Sequence, residues 1–143
     1  MQTIKFEYLP DPIINPKTKE PDIIYRPKVT MRLAFKHNLC KYSIVALVDT
    51  GADRNLFPAY LGELVGIKIK TGDKHNIMGI GDFKIEGYGH DVKLYLDNVS
   101  ITTRVYFSYE HQVPLLGRIG FFDKFKRVIF NENEKYMQVE KLK

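Results

Sequence analysis

At 143 residues the chain is the size of one ordinary domain. Its 44% hydrophobic and 27% charged residues exclude global disorder, and a formal charge of +5 is too small a surplus to identify a nucleic-acid partner. Nine Tyr and nine Phe, with no Trp, tilt the composition towards strands.

Residues 2–9 alternate apolar and polar, the signature of a half-buried strand. Pro10, Pro12, Pro16 and Pro21 then interrupt the pattern, so 10–22 reads as an exposed loop or arm. Residues 28–36 and 41–48 read as two strands with His37-Asn38 at the hairpin tip. Pro58 opens one or two turns of helix that stop at Gly66. Further strands are expected over 75–80, 83–97 and 99–108, and a second short helix around 119–125. A closing hairpin, 127–130 with 135–142, turns at Asn131-Glu-Asn-Glu. Many short strands with two stubby helices suggest a small closed all-β barrel.

Several chemistries have no residues to carry them. His37, His75, His90 and His111 are scattered, and no Cys-rich or His-Glu-x-x-His cluster exists, so no metal is expected. There is no Gly-x-Ser-x-Gly elbow and no Gly-Lys-Ser/Thr loop; Gly79-Ile80-Gly81-Asp82-Phe83-Lys84 lacks the last glycine of a dinucleotide fingerprint. No cofactor is expected. Cys40 near His37 reads as a small buried hydrophobe beside a strand. One cysteine forms no internal disulfide, and no apolar leader or long apolar run is seen, so the expected location is cytoplasmic, away from membranes.

The informative segment is Ala46-Leu-Val-Asp49-Thr50-Gly51-Ala52-Asp53, an apolar strand running into a carboxylate, a hydroxyl and a glycine. Taken alone it is also ordinary turn chemistry. Downstream stand a Gly-rich tip, Gly79-Ile80-Gly81-Asp82-Phe83, and then Val113-Pro114-Leu115-Leu116-Gly117-Arg118. These three in this order resemble the retroviral-type (retropepsin-like) aspartic proteases, over roughly residues 28–130.

The resemblance implies an all-β barrel with one lobe per chain, and residues 28–143 as the protease domain after an N-terminal strand and Pro-rich arm, 1–27. It implies a peptidase in which Asp49 is catalytic, Thr50 grips a partner loop, and Gly51 lies near the attacking water. Ala52 and Asp53 would touch substrate main chain, Asp53 pairing with Arg118 as support. Met78, Gly79, Ile80 and Gly81 would form a flap, and Val113 and Leu115, with Ile80, apolar pockets. The chain holds one Asp-Thr-Gly; Lys70-Thr71-Gly72 lacks the acid. A catalytic pair of carboxylates would then need two copies, making the chain its own partner, with a peptide or protein as substrate and no nucleic acid. The other reading is a non-catalytic dimeric peptide-binding module on the same fold. Arg54, the N-terminal arm and the long C-terminal hairpin depart from the family pattern, Arg54 favouring acidic side chains in outer pockets.

Overall fold

A period of two in the aromatic and β-branched residues sorts the described chain into strands with one buried side. The computed structural model describes residues 2–78 and 83–142. In chain order the strands are β1 (Thr3–Glu7), β2 (Leu9–Ile14), β3 (Pro21–Arg26), β4 (Lys28–Phe35), β5 (Asn38–Leu39), β6 (Ile44–Val48) and β7 (Leu56–Pro58). Helix α1 (Ala59–Glu63) and a 3-10 turn (Ile69–Thr71) follow, then β8 (Asp73–Met78), β9 (Lys84–Leu96), β10 (Val99–Ser108) and β11 (Leu115–Leu116). A second 3-10 turn (Phe122–Lys124) leads into β12 (Phe125–Asn131) and β13 (Tyr136–Lys141).

Six strands close a barrel in the order β4-β6-β11-β7-β10-β9, with β9 returning to β4 through Arg32↔Tyr95, Leu33↔Leu94 and Ala34↔Lys93. Strand β4 manages this by pairing with β6 along its first half and with β9 along its second. Leu33, Ala46, Phe57, Leu94, Val105, Phe107 and Leu116 fill the interior and are inaccessible to solvent. Phe57 and Phe107 meet edge-to-face, with ring centroids 6.1 Å apart.

Helix α1 lies over this core because Ala59, Leu61 and Gly62 turn inward. A Cβ on Gly62 would sit 2.8 Å from Ile69 and 3.0 Å from Phe107, so glycine is what allows the close approach. The helix ends in a Schellman arrangement: Gly66, at φ +85°, donates to Glu63 O, and Ile67 N–H donates to Gly62 O.

The chain ends meet in a second sheet, β1-β13-β12, with Ile4 opposite Val139 and Phe6 opposite Met137. Glu140, buried in this sheet, faces Lys126 at 3.6 Å and Arg127 at 3.5 Å. Both strands of β13's surroundings come from the same chain, so its two edges are already paired.

Three sequence expectations need correction. Residues 10–22 are not an irregular loop: β2 and β3 form a two-stranded ribbon, Leu9↔Arg26 to Ile14↔Pro21. The ladder continues through Asn15 N–H to Glu20 O, so by alternation Pro10, Pro12 and Pro21 occupy positions whose N–H would point away from the partner strand. The prolines therefore cost the ladder no bond, which is why a Pro-rich stretch can still pair. The tip before β5 is Lys36-His37, one residue earlier than expected, with Lys36 taking φ 54°. Around 119–125 there is only the 3-10 turn, because the aromatic rings of Phe121, Phe122 and Phe125 pack on one another and draw the chain into β12. Cys40 is buried, as expected of a small hydrophobe. No helix among the described residues is long and apolar enough to cross a membrane.

The burial of Ile4, Phe6 and Tyr8 makes the N-terminal strand part of the core. Phe6→Ala is expected to cost about 3–5 kcal/mol in a denaturant melt, the range for emptying a buried aromatic position; a cost under about 1 kcal/mol would mean that β1 is dispensable.

Candidate active site

The carboxylate of Asp49 is set by the strand before it and by a wedge beside it. Strand β6 runs parallel to β11, Leu47↔Leu115 and Val48↔Leu116, and Asp49 N–H extends the pairing by donating to Leu116 O at 2.9 Å. Strand β7 flanks β11 on its other side, antiparallel, through Leu56↔Leu115. The chain therefore leaves β6 at Asp49, loops through residues 49–55, and returns across β11 as β7. In the loop, Gly51 N–H donates to Asp49 Oδ1 at 2.8 Å and Ala52 N–H donates to Asp49 O at 3.1 Å. The side chain is thereby aimed by its own turn, with one carboxylate oxygen held and the group half-exposed.

The loop is laced to the segment after β11. Arg118 N–H donates to Ala52 O at 2.8 Å and Ile119 N–H to Asp53 O at 2.7 Å. Asn55, fully buried, completes the lacing: it accepts from Gly117 N–H at 2.9 Å and donates to Arg104 O at 3.2 Å. A Cβ on Gly117 would stand 2.5 Å from Arg54 O, so the two backbones approach as only glycine permits. Sequence reading missed Asn55; the available signal is a polar residue immediately before the apolar pair Leu56-Phe57.

A cleft of about 520 Å3 opens over this loop, lined by Asp49, Gly51, Ala52, Asp53, Met78 and Leu115 among the expected residues. Thr50 is exposed at the turn, Val113 is largely exposed, and neither lines the cleft. Gly79, Ile80 and Gly81, expected at the flap tip, lie outside the described residues. Strands β8 and β9 form the hairpin that would carry that tip, Asp73↔Gly89 to Met78↔Lys84. The expected Asp53–Arg118 ion pair is not among those of the described residues; backbone bonds join the two segments instead, and Arg118 is exposed.

The cleft also takes Arg54, expected at an outer pocket, and Leu56, His75, Ile77, Ile85 and His111, which the motifs did not assign to it. Ile77 and Ile85 are register partners in the β8–β9 hairpin and give its underside an apolar surface. Arg54 and His75 both approach the Tyr106 ring, the guanidinium 5.5 Å and the imidazole 5.5 Å from its centroid. His111 donates through Nε2–H to Val113 O. Burial draws the His111 imidazole below its ordinary 6.5, against the weaker upward pull of that bond.

The base of the β8–β9 hairpin is bracketed by ions. Arg104 on β10 reaches both Asp73 on β8 and Asp91 on β9, the latter at 2.7 Å. Burial pushes the Asp73 carboxyl up, but bonding to Arg104 and the neighbouring positive charge outweigh it and leave Asp73 below its ordinary 3.8. A Cβ on Gly89 would stand 2.6 Å from Asp73 Oδ1 and 2.9 Å from Arg104 Nε, so this glycine keeps space for the bracket.

A closed six-stranded barrel with an Asp-Thr-Gly turn at the mouth of one strand, wedged by a second, and a hairpin over the cleft has known counterparts. A structure of EIAV protease complexed with the inhibitor HBY-793 matches with TM-score 0.50 and 23% identity, covering 65% of this chain and 82% of that one. A retropepsin-like aspartic protease from Rickettsia conorii matches with TM-score 0.54 and 12% identity, covering 97% of this chain and 94% of its own. The fold is retropepsin-like. No protein-family model and no curated protein sequence matches the chain. On this retropepsin-like frame, the Asp49 turn and the β8–β9 hairpin face each other across the cleft.

Two measurements check the site. Asn55→Ala strips partners from the buried Gly117 N–H and Arg104 O, and is expected to lose about 1–3 kcal/mol of stability by chemical denaturation. An NMR titration of the His111 ring is expected to find its midpoint below 6.5. The sign follows: below pH 6.5 the unfolded chain takes up this proton more readily, so the loop around His111 is least stable in acid.

Proposed function

We propose that the protein is an aspartic endopeptidase, active as a homodimer in which each subunit contributes Asp49. The observation that carries this reading is the aim of Asp49: one oxygen held by Gly51 N–H, the group facing an apolar-walled cleft, within a retropepsin-like fold. One such loop per chain is half of the machinery that the chemistry needs.

In the dimer, two carboxyls a few ångströms apart hold one proton between them, since two like charges that close cannot both be stable. The ionised member takes a proton from a water lying between them, and that water's oxygen bonds to the carbonyl carbon of the scissile peptide. The protonated member gives its proton to the carbonyl oxygen as the C=O π bond opens. The tetrahedral species then collapses: the carboxyl that took the water's proton passes it to the nitrogen as the C–N bond breaks, one hydroxyl of the gem-diol gives its proton to the other carboxylate as C=O re-forms, and the pair again holds one proton. Thr50, exposed at the turn, is placed in this reading against the partner's matching loop, and Gly51 leaves room for the water. Ala52 and Asp53 meet the substrate main chain, which lies extended under Met78 and the flap tip, Gly79 to Gly81. Leu115, with Ile80, contributes to apolar side-chain pockets, and Arg118 supports the loop through its backbone bond to Ala52. Arg54 on the cleft wall suits acidic side chains farther from the cut.

Asp49→Asn is expected to reduce hydrolysis of peptides with bulky apolar residues at the cut by at least ~10²-fold, the scale of general acid–base catalysis. Activity of the unsubstituted chain is expected to fall as pH rises from mild acid towards neutrality, when the shared proton is lost, and to be blocked by pepstatin-type inhibitors. Full hydrolysis by Asp49→Asn would remove Asp49 from the chemistry, whereas a peptide library bound but left uncut by the unsubstituted chain would put the peptide-binding reading in its place.

A further inference from the structure

The β2–β3 ribbon has one face made only of apolar residues. Its register pairs Pro10 with Tyr25, Pro12 with Ile23 and Ile14 with Pro21, and cross-strand partners share a face. All six are exposed, with Ile14 at 63%, Ile23 at 56% and Tyr25 at 46%. The opposite face carries Asp11, which is anchored by Arg26 at 2.9 Å and by Lys28 at the start of β4. The ribbon is thus tied down on one side and bare on the other. A two-stranded ribbon is marginal in water by itself, and a contiguous exposed apolar face marks a contact surface.

We infer that this face is a clasp for a second copy of the same chain. The inference rests on the dimeric reading proposed above, and three observations select the occupant. The ribbon is rooted beside the catalytic turn: Val48 N–H, one residue before Asp49, donates to Pro27 O at 2.9 Å. A two-fold axis that brings two Asp49 side chains together therefore passes close to both ribbon roots. Six residues per strand give an arm of about 20 Å, enough to lie along the partner. Next, the C-terminal strand has no open edge for an intersubunit sheet, since β13 is paired by β1 on one side and β12 on the other. The C-terminal strand itself therefore takes no strand from a second copy, and the bare ribbon face is the apolar surface nearest the Asp49 turn that the β2–β3 pairing leaves open.

The third observation excludes an extended peptide as occupant. Pro10, Pro12 and Pro21 lack the outward N–H groups that a further strand would need, and the outward N–H of Ile23 is taken by Asp22 Oδ1 at 2.8 Å. The ribbon edges resist strand addition, so the ribbon binds by its face, as it would against a folded partner. In a symmetric dimer each copy covers the other's ribbon, and one contact is made twice.

The test is the dimer dissociation constant of the full chain by sedimentation equilibrium, with peptide hydrolysis measured alongside. Ile14→Glu/Ile23→Glu/Tyr25→Glu charges the bare face without touching the core; Tyr42→Glu, at a residue 67% exposed elsewhere, is the control. Thermal melting verifies that both variants remain folded. The triple variant is expected to raise the dissociation constant at least about tenfold and Tyr42→Glu to leave it unchanged. An unchanged constant in the triple variant overturns the clasp while leaving the catalytic reading intact. If the constant is unchanged and that variant still cuts peptides but loses cleavage of a folded protein substrate, the face belongs to substrate; cleavage lost together with a raised constant is what the clasp requires. A chain that stays monomeric at every attainable concentration overturns the clasp. A shifted constant with Asp49→Asn still hydrolysing peptides supports the clasp and removes the catalytic reading alone.

Discussion

The amide of Asn55 is the interaction on which the mouth of the cleft depends. It joins the loop that carries Asp49, the glycine after β11 and the backbone of β10, three segments far apart in sequence. Tyr106 N–H, also on β10, adds a third bond by donating to the Asn55 backbone carbonyl at 2.9 Å. Because Asn55 is wholly buried, each of these bonds is shielded from competing water, and each group left without its partner would be costly. Packing follows from this demand. Gly117 gives room for the Arg54 backbone, and Gly120, at φ +114°, lies where a Cβ would stand 2.5 Å from the Asn55 amide. Gly120 is therefore dictated by the Asn55 side chain, and Gly117 by the loop backbone that leads into Asn55.

From that junction the barrel hands geometry to the site with little slack. Strand β11 has only two residues, but it is bonded on both sides, and its Leu116 carbonyl receives the Asp49 N–H. A half-exposed carboxylate on a loop would ordinarily sample many positions. Here its main chain is pinned by a barrel strand and its side chain by Gly51, so most of the ordering cost is met in folding.

How much of this was legible beforehand depended on whether the information was local. The Asp49-Thr50-Gly51 turn, the Gly66 stop and the hairpin strands are written in neighbouring residues, and the structure places the strands and the helix close to where those residues indicated. Asn55 was not legible, because its partners lie 49 and 62 residues away. The Pro-rich stretch misled for a different reason. Proline counts as a strand breaker in composition, yet its effect depends on parity, and here all three ribbon prolines fall where no ladder bond is made. The Asp53–Arg118 expectation failed because backbone bonds already bring these segments together, leaving Arg118 turned to solvent.

Mild acid acts differently on the two walls of the cleft. Asp73 lies below its ordinary 3.8, so the stability given by its bracket with Arg104 is present above that pH and fades only as pH falls through the lowered value. The base of the β8–β9 hairpin therefore stays braced through mild acid. The His111 loop behaves otherwise: burial disfavours its charged form, and destabilisation begins once pH drops below 6.5. Between these limits the two sides of the cleft respond to acid in opposite ways: the ionic bracket keeps its charge pair, while the half-buried His111 imidazole takes on a charge that its surroundings disfavour. The difference comes from partners, since Asp73 has a guanidinium to hold its charged form and His111 is bonded to a backbone carbonyl too weakly to offset its burial.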